Sequence, residues 1–151
     1  MGAVTYPEPA IIEFLNREVV PLKINFDAEP QASDFWVRWT PALFMLDPYG
    51  NSHQRHLGFL GPKEFIPHLL LGKAKTFFGH RRFNDALSQL ERLLTDYSLS
   101  FAAPEAVYLR AICRYRTTQD PHNLRVGYQI LMAEYPNSDH AQRARPYRSL
   151  P

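Results

Sequence analysis

The sequence predicts an α/β unit over residues 1–65, followed by an all-helical unit over residues 66–151. Three observations carry that expectation. Apolar residues alternate in "VVPLKINF" and run continuously in "ALFMLDP", and both are strand patterns. From Glu64 onward the apolar spacing lengthens to three and four and stays there, which is helical. The thirteen prolines are scattered and fall between these patterns, where they punctuate elements.

The elements follow in order. "EPAIIEFLNREV" predicts a short helix, with Pro9 at the first helical position and Ile11, Ile12 and Leu15 as its apolar stripe. Val20, Leu22, Ile24 and Phe26 alternate with Pro21, Lys23 and Asn25, predicting a strand over about 19–26. Pro21 lacks an N–H, so it belongs at the start of that strand or on an edge. "AEPQASDFWV" reads as loop and short helix. "ALFMLDP" predicts a strand over about 42–47, covered on both faces because its apolar run is unbroken. "DPYGN" is a turn, and "SHQRHLGFLG" returns as a strand over about 54–60 to complete a hairpin. Pro62 then stands near the start of the next helix.

Four or five helices fit the remainder, punctuated at Gly79-His80, Ser98–Ala103, Thr118–Pro121 and Tyr135–Ser138. Phe83, Ala86, Leu87, Leu90, Leu93, Leu94 and Tyr97 make one broad apolar face. Pro104 opens a helix on which Ala106, Leu109 and Cys113 share a side. Asp120-Pro121 reads as an N-cap with proline at the first helical position, ahead of Leu124, Gly127, Tyr128, Leu131 and Tyr135. Pro136-Asn137-Ser138-Asp139 stops that helix and caps another.

Composition narrows the functional classes. Net charge is +2 over 151 residues, with 45% hydrophobic and 21% charged, an ordinary globular balance. The basic clusters, His80-Arg81-Arg82 and the tail residues Arg143, Arg145 and Arg148, read as solvated helix ends rather than a phosphate track. The aromatics follow core periodicity and do not interleave with basic residues, so no nucleic-acid partner is expected. One cysteine, Cys113, excludes an intrachain disulfide and a cysteine-rich zinc site. No apolar run approaches the ~20 residues that span a bilayer, and the N-terminus lacks the pattern of a signal peptide. Tyr6 stands where a myristoylation motif wants Ser or Thr. A cytoplasmic location without membrane contact is expected.

No motif for catalysis or for a cofactor is present. His53, His56, His68, His80, His122 and His140 form no helical metal pair. His53 and His56, with Asp47 nearby in sequence, read as a solvated hairpin in preference to a metal site. There is no Gly-x-Gly-x-x-Gly or phosphate loop, and Ser33-Asp34 lacks the setting of a nucleophilic serine.

Residues 66–151 resemble tetratricopeptide repeats. Leu71-Gly72, Ala74, Phe77-Phe78, Phe83, Ala86, Leu90 and Leu94 carry one degenerate unit, and Ala106, Leu109, Ala111, Tyr115 and "EYP", Glu134 to Pro136, carry the next. The resemblance implies stacked helix pairs with a concave binding surface. The alternative is that these helices serve only to pack on the first unit.

Ala3 to about Leu71 resembles the thioredoxin-like family. "FLNREVVPLKINFD" is similar to its helix-to-strand passage, "VRWTPALFMLDPYG" to its Thr-Pro strand, and "HLGFLGPKEF" to its last strand and final helix. "AVTYPEP" looks like the segment that follows the active-site cysteines. The resemblance implies a cis Thr40–Pro41 bond. It also implies that Trp39, Thr40 and Pro41 flank the edge where an extended substrate pairs. The family's chemistry needs a nucleophilic cysteine at a helix N-terminus and a second one to resolve the mixed disulfide, and neither is present. Cys113 reads as an inert core thiol.

The family's first strand and cysteine turn would fall before Met1. The chain thus reads as a member that starts late, whether by trimming, by a start assigned at an internal methionine, or by genuine shortening. A central strand would then be missing from an incomplete thioredoxin-like sheet. The consequence expected is direct pairing of the flanking strands, a homodimer through unpaired strand edges, or a loosened sheet. The expected role is protein or peptide binding by a thioredoxin-like chain without disulfide exchange. The other reading is a non-redox adaptor that uses the tetratricopeptide-like groove.

Overall fold

In the computed structural model, which describes all residues from Met1 to Pro151, the first helix begins where the proline signal places it. That helix, α1, is Pro9–Glu18. Its buried face is Ile11 and Phe14, spaced by three, while Ile12, expected in the apolar stripe, is 46% exposed and lies outside that face. Next come α2, Gln31–Asp34, and the strands β1, Ala42–Leu46, and β2, Ser52–Leu57. The helices α3, Pro62–Gly79, α4, Phe83–Asp96, and α5, Ala103–Thr118, follow. The last elements are α6, His122–Glu134, α7, Asp139–Arg143, and a 3-10 helix, Arg145–Ser149. The chain is therefore mixed α/β and mostly helical, with a single two-stranded antiparallel sheet. It divides into two units, Met1–Ile66 and Pro67–Pro151. The division falls inside α3, where Pro67 removes one i→i−4 hydrogen bond from the helix.

The expected strand over 19–26 does not form. Residues 19–25 carry no helix, strand or turn, and 26–27 already turn. Alternation marks a segment able to bury one face in a sheet, but a strand exists only when a neighbour takes its N–H and C=O groups. No such neighbour is present, and Val20 and Leu22 are 95% and 81% exposed.

β1 and β2 pair from Ala42↔Leu57 to Leu46↔Ser52, with a bulge between Met45 and Leu46. β1 stops one residue before the expected end because Asp47 turns into the hairpin loop. Its residues are half-buried to exposed, not covered on both faces, because a lone hairpin has no second layer. β2 begins and ends earlier than the expected 54–60. Gly58 has φ +97°, which leaves the β region and ends the ladder before Phe59 and Leu60. Around this hairpin the unit ties down its start. The Thr5 hydroxyl donates to the Leu60 carbonyl at 2.7 Å, and Tyr6 meets Phe65 edge-on at 5.6 Å.

In the second unit α4 packs on α5, and α5 on α6. Leu90, Leu93, Ala106, Cys113 and Leu131 are fully buried. A Cβ at Gly127 of α6 would stand 2.4 Å from the Ala111 Cβ of α5, so glycine sets how closely these helices approach. Glu91 on α4 accepts from Arg110 at 3.1 Å and Arg114 at 2.7 Å on α5, bridging the pair. Pro121 stands just before α6 and not at its first position. Asp120 still accepts the His122 N–H at 2.9 Å, so it does the capping one residue earlier. Ser138 caps α7 by accepting the Ala141 N–H at 3.1 Å. Val107, Leu131, Ala141 and Ala144 form a closing core under Tyr108, Tyr128 and Tyr147.

Candidate functional site

The approach to β1 is a sequence of constrained residues. α2 ends at Phe35, whose ring lies 5.0 Å from Phe44 of β1. Trp36 follows with φ 51°, a left-handed conformation that costs a bulky residue about 1–3 kcal/mol. Three hydrogen bonds hold it there. The Trp36 N–H donates to Ser33, the next N–H, of Val37, donates to Ala32, and the Trp36 carbonyl accepts from Arg55 of β2 at 3.0 Å. Arg55 also lies over the Phe44 ring at 5.4 Å, and Arg38 over the Trp36 ring at 5.7 Å.

Trp39, Thr40 and Pro41 come next. The Thr40–Pro41 bond is cis, and so is Glu29–Pro30. The Pro41 carbonyl accepts the Gly58 N–H at 2.8 Å, which locks the proline to the far end of β2. Thr40 is exposed and Trp39 is 70% exposed. Neither the Trp39 nor the Thr40 N–H has a main-chain partner within the chain. The result is a bend in the chain ahead of β1, held to the hairpin at Pro41, with two N–H groups that lack a main-chain partner beside a solvent-facing indole. Successive N–H groups point to opposite sides of an extended chain, so one of these two can serve a segment laid along a given side.

The hairpin histidines do other work. Asp47 is buried and accepts from the N–H groups of Tyr49 and Asn51, from the Asn51 side chain, and lies 3.0 Å from His53 Nε2. Burial by itself would raise the Asp47 carboxyl. The bonds from His53, the Asn51 side chain and the two main-chain N–H groups outweigh it and hold the group well below the usual carboxylate range. Asp47 and His53 clamp the turn. His56 is three residues along β2 and falls on the opposite face from His53, so the two histidines are not brought together.

Cys113 is buried on α5, and burial pushes its thiol up to about 11. At neutral pH it holds its proton and offers no thiolate. In the second unit, Arg81, Arg82, Phe83, Asn84, Asp85 and Thr117 line a surface depression of about 230 Å³. Arg82 there is engaged by Asp85 at 2.8 Å and lies over the Phe77 ring at 4.7 Å.

Sequence reasoning named Trp39, Thr40 and Pro41 and missed two features of the first unit. Trp36 stands on a left-handed residue with no glycine or asparagine to signal it. Residues 19–26 were expected to be spent on pairing, yet Val20, Leu22, Ile24 and Phe26 all face solvent. The class defined by fold and site is a mostly helical α/β chain whose one hairpin carries a proline-led, aromatic edge. No family model, curated protein or solved structure matches the chain. No helix is long and apolar enough to cross a membrane.

Proposed function

We propose that this chain is a thioredoxin-like binding protein that takes an extended apolar peptide at the Trp39-Thr40-Pro41 edge and performs no disulfide exchange. The observation that carries the reading is the pair of unpartnered N–H groups at Trp39 and Thr40 beside a 70% exposed indole. The order of helix, Thr-Pro strand, turn, strand and helix supports the thioredoxin-like part. The chemistry is limited by the thiols. The one cysteine is buried and protonated, so it cannot attack a disulfide at neutral pH. A lone free thiol fits a reducing compartment, and the cytoplasm is the location we assign.

A second reading has an observation of its own. The close approach of α5 and α6 at Gly127 and Ala111 supports a tetratricopeptide-like stack, and such a stack would make the chain an adaptor that binds through its helical groove.

Calorimetric titration with a short capped peptide of alternating valine and threonine tests the first reading. The expected result is binding that Trp39→Ala weakens about tenfold, as for an aromatic anchor. Unchanged affinity in Trp39→Ala would overturn it. In an insulin-reduction assay with dithiothreitol, no acceleration is expected. Robust turnover would contradict the assignment of Cys113 as inert.

A further inference from the structure

We infer that Arg38 and Arg55 form a carboxylate receptor beside the Trp39 and Thr40 N–H groups, so that the peptide preferred there carries a glutamate or aspartate side chain. This rests on the peptide-binding reading and adds the charged residue that the peptide presents. Two arginines from different elements converge on Trp36. The Arg38 guanidinium lies over the Trp36 ring at 5.7 Å, and Arg55 Nη2 donates to the Trp36 carbonyl at 3.0 Å. Both arginines are exposed. One residue in a strained backbone conformation, at φ 51°, thus holds both cations.

What the two cations lack is an anion. Neither arginine takes part in an ion pair within the chain. Arg38 makes no hydrogen bond, and Arg55 makes only the one to Trp36. Acidic side chains outnumber basic ones in Met1–Ile66, so carboxylates are not scarce there. Other cations of the unit do use them: Glu13 holds Arg17 at 3.0 Å, and Asp47 holds His53 at 3.0 Å. A guanidinium carries its N–H donors in a planar fork that matches a carboxylate, and most donors of this pair stay open. Like charges held at one residue repel each other, and an anion between them offsets that cost.

A carboxylate on the bound peptide is the anion within reach. Arg38 is two residues from Thr40, and successive Cα atoms are about 3.8 Å apart, so the two Cα atoms lie within about 8 Å of each other. A peptide bonded to the Thr40 N–H therefore runs alongside Arg38, and arginine and glutamate side chains together bridge the remaining gap. A nucleic acid fits less well. Arg38 already covers the Trp36 ring and takes that face away from a stacking base. Charge pairs this exposed add little bulk affinity, so the arginines act mainly on which peptide is chosen.

Calorimetric titration of the full chain with the capped valine-threonine peptide, and with glutamate placed at each of its positions in turn, tests the receptor. At low salt one position should bind about fivefold tighter than the parent peptide, and the gain should shrink as salt is raised. Arg38→Gln should remove most of that gain. Arg17→Gln, at an exposed arginine of α1 already paired with Glu13, should keep it. Arg38→Glu should move the preference to lysine at the same position, a result that loss of folding does not produce. A glutamate peptide bound no tighter at any position would overturn the inference. So would a gain kept in Arg38→Gln, or one lost equally in Arg17→Gln. In those cases the parent peptide still binds and Trp39→Ala still weakens it, so the peptide-binding reading stands. Binding by no peptide at all would overturn both.

Discussion

The two units handle their apolar residues in opposite ways. Of the large apolar side chains that remain exposed, thirteen lie in Met1–Ile66 and three, Leu99, Phe101 and Met132, in Pro67–Pro151. Buried apolar residues run the other way, five against eighteen. Both units have apolar patterns in sequence, so composition does not account for the difference. Closure does. A helix satisfies its own backbone and needs only a neighbouring helix to cover its stripe, which α4, α5 and α6 provide for one another. A strand needs partners along its edge as well as a layer on its face, and the first unit supplies one hairpin. Its surface is therefore left with apolar groups and free main-chain donors, the raw material of a binding edge.

That contrast is broken or sharpened by substitution, taken from the largest expected effect downward. Leu131→Ala, in the closed unit, should lose about 2–5 kcal/mol in denaturant unfolding, since Leu131 is fully buried and its removal leaves a cavity. Leu22→Ala, in the open unit, should stay within about 0.5 kcal/mol. Equal losses at the two leucines would erase the distinction. Gly127→Ala comes next. The new methyl would overlap the Ala111 side chain and should cost about 1–3 kcal/mol, and adding Ala111→Gly should restore part of it. A Gly127→Ala chain as stable as the original would mean that α5 and α6 part easily, which the stacked reading does not allow.

Titration separates the units by pH. His140 in the second unit has its pKa pushed below its ordinary 6.5, by burial first, with Arg143 and Lys75 adding to it. The unfolded chain takes up that proton first as pH falls, so stability should decline below about 6.5 and His140→Gln should flatten that decline. Asp47 in the first unit is shifted down from an ordinary 3.8. Its contribution is fully present above that value and is lost as pH falls further, a step that Asp47→Asn should remove. Melting temperature recorded against pH for the two variants checks both. A single transition zone common to them would contradict the assignment.

Much of the second unit was legible in advance because its signals are local. Pro104, Asp120 and Ser138 mark helix starts whether or not anything packs nearby, and Leu90, Leu93 and Leu131 recur at the helical period. In the first unit the local signals also held: Pro9 starts α1, and Asp47 to Asn51 form the turn. What failed depended on a distant partner or on a backbone conformation that the residue type leaves open. Alternation in "VVPLKINF" reports a capacity for one-sided burial and says nothing about whether a partner strand exists. The β2 boundaries shifted because Gly58, at φ +97°, ends the ladder, and a glycine inside an apolar run does not declare which conformation it takes. At the site, Trp39, Thr40 and Pro41 were legible as residues ahead of a strand. Trp36 was not, because its left-handed backbone is imposed by the Arg55 and Ala32 contacts.

The most direct test of the account is a nuclear magnetic resonance titration of the full chain with the valine-threonine peptide. The account predicts shifts at the Trp39 and Thr40 amides and the Trp39 indole, with the α4, α5 and α6 amides unmoved. Shifts confined to α4, α5 and α6, or none anywhere, would contradict it.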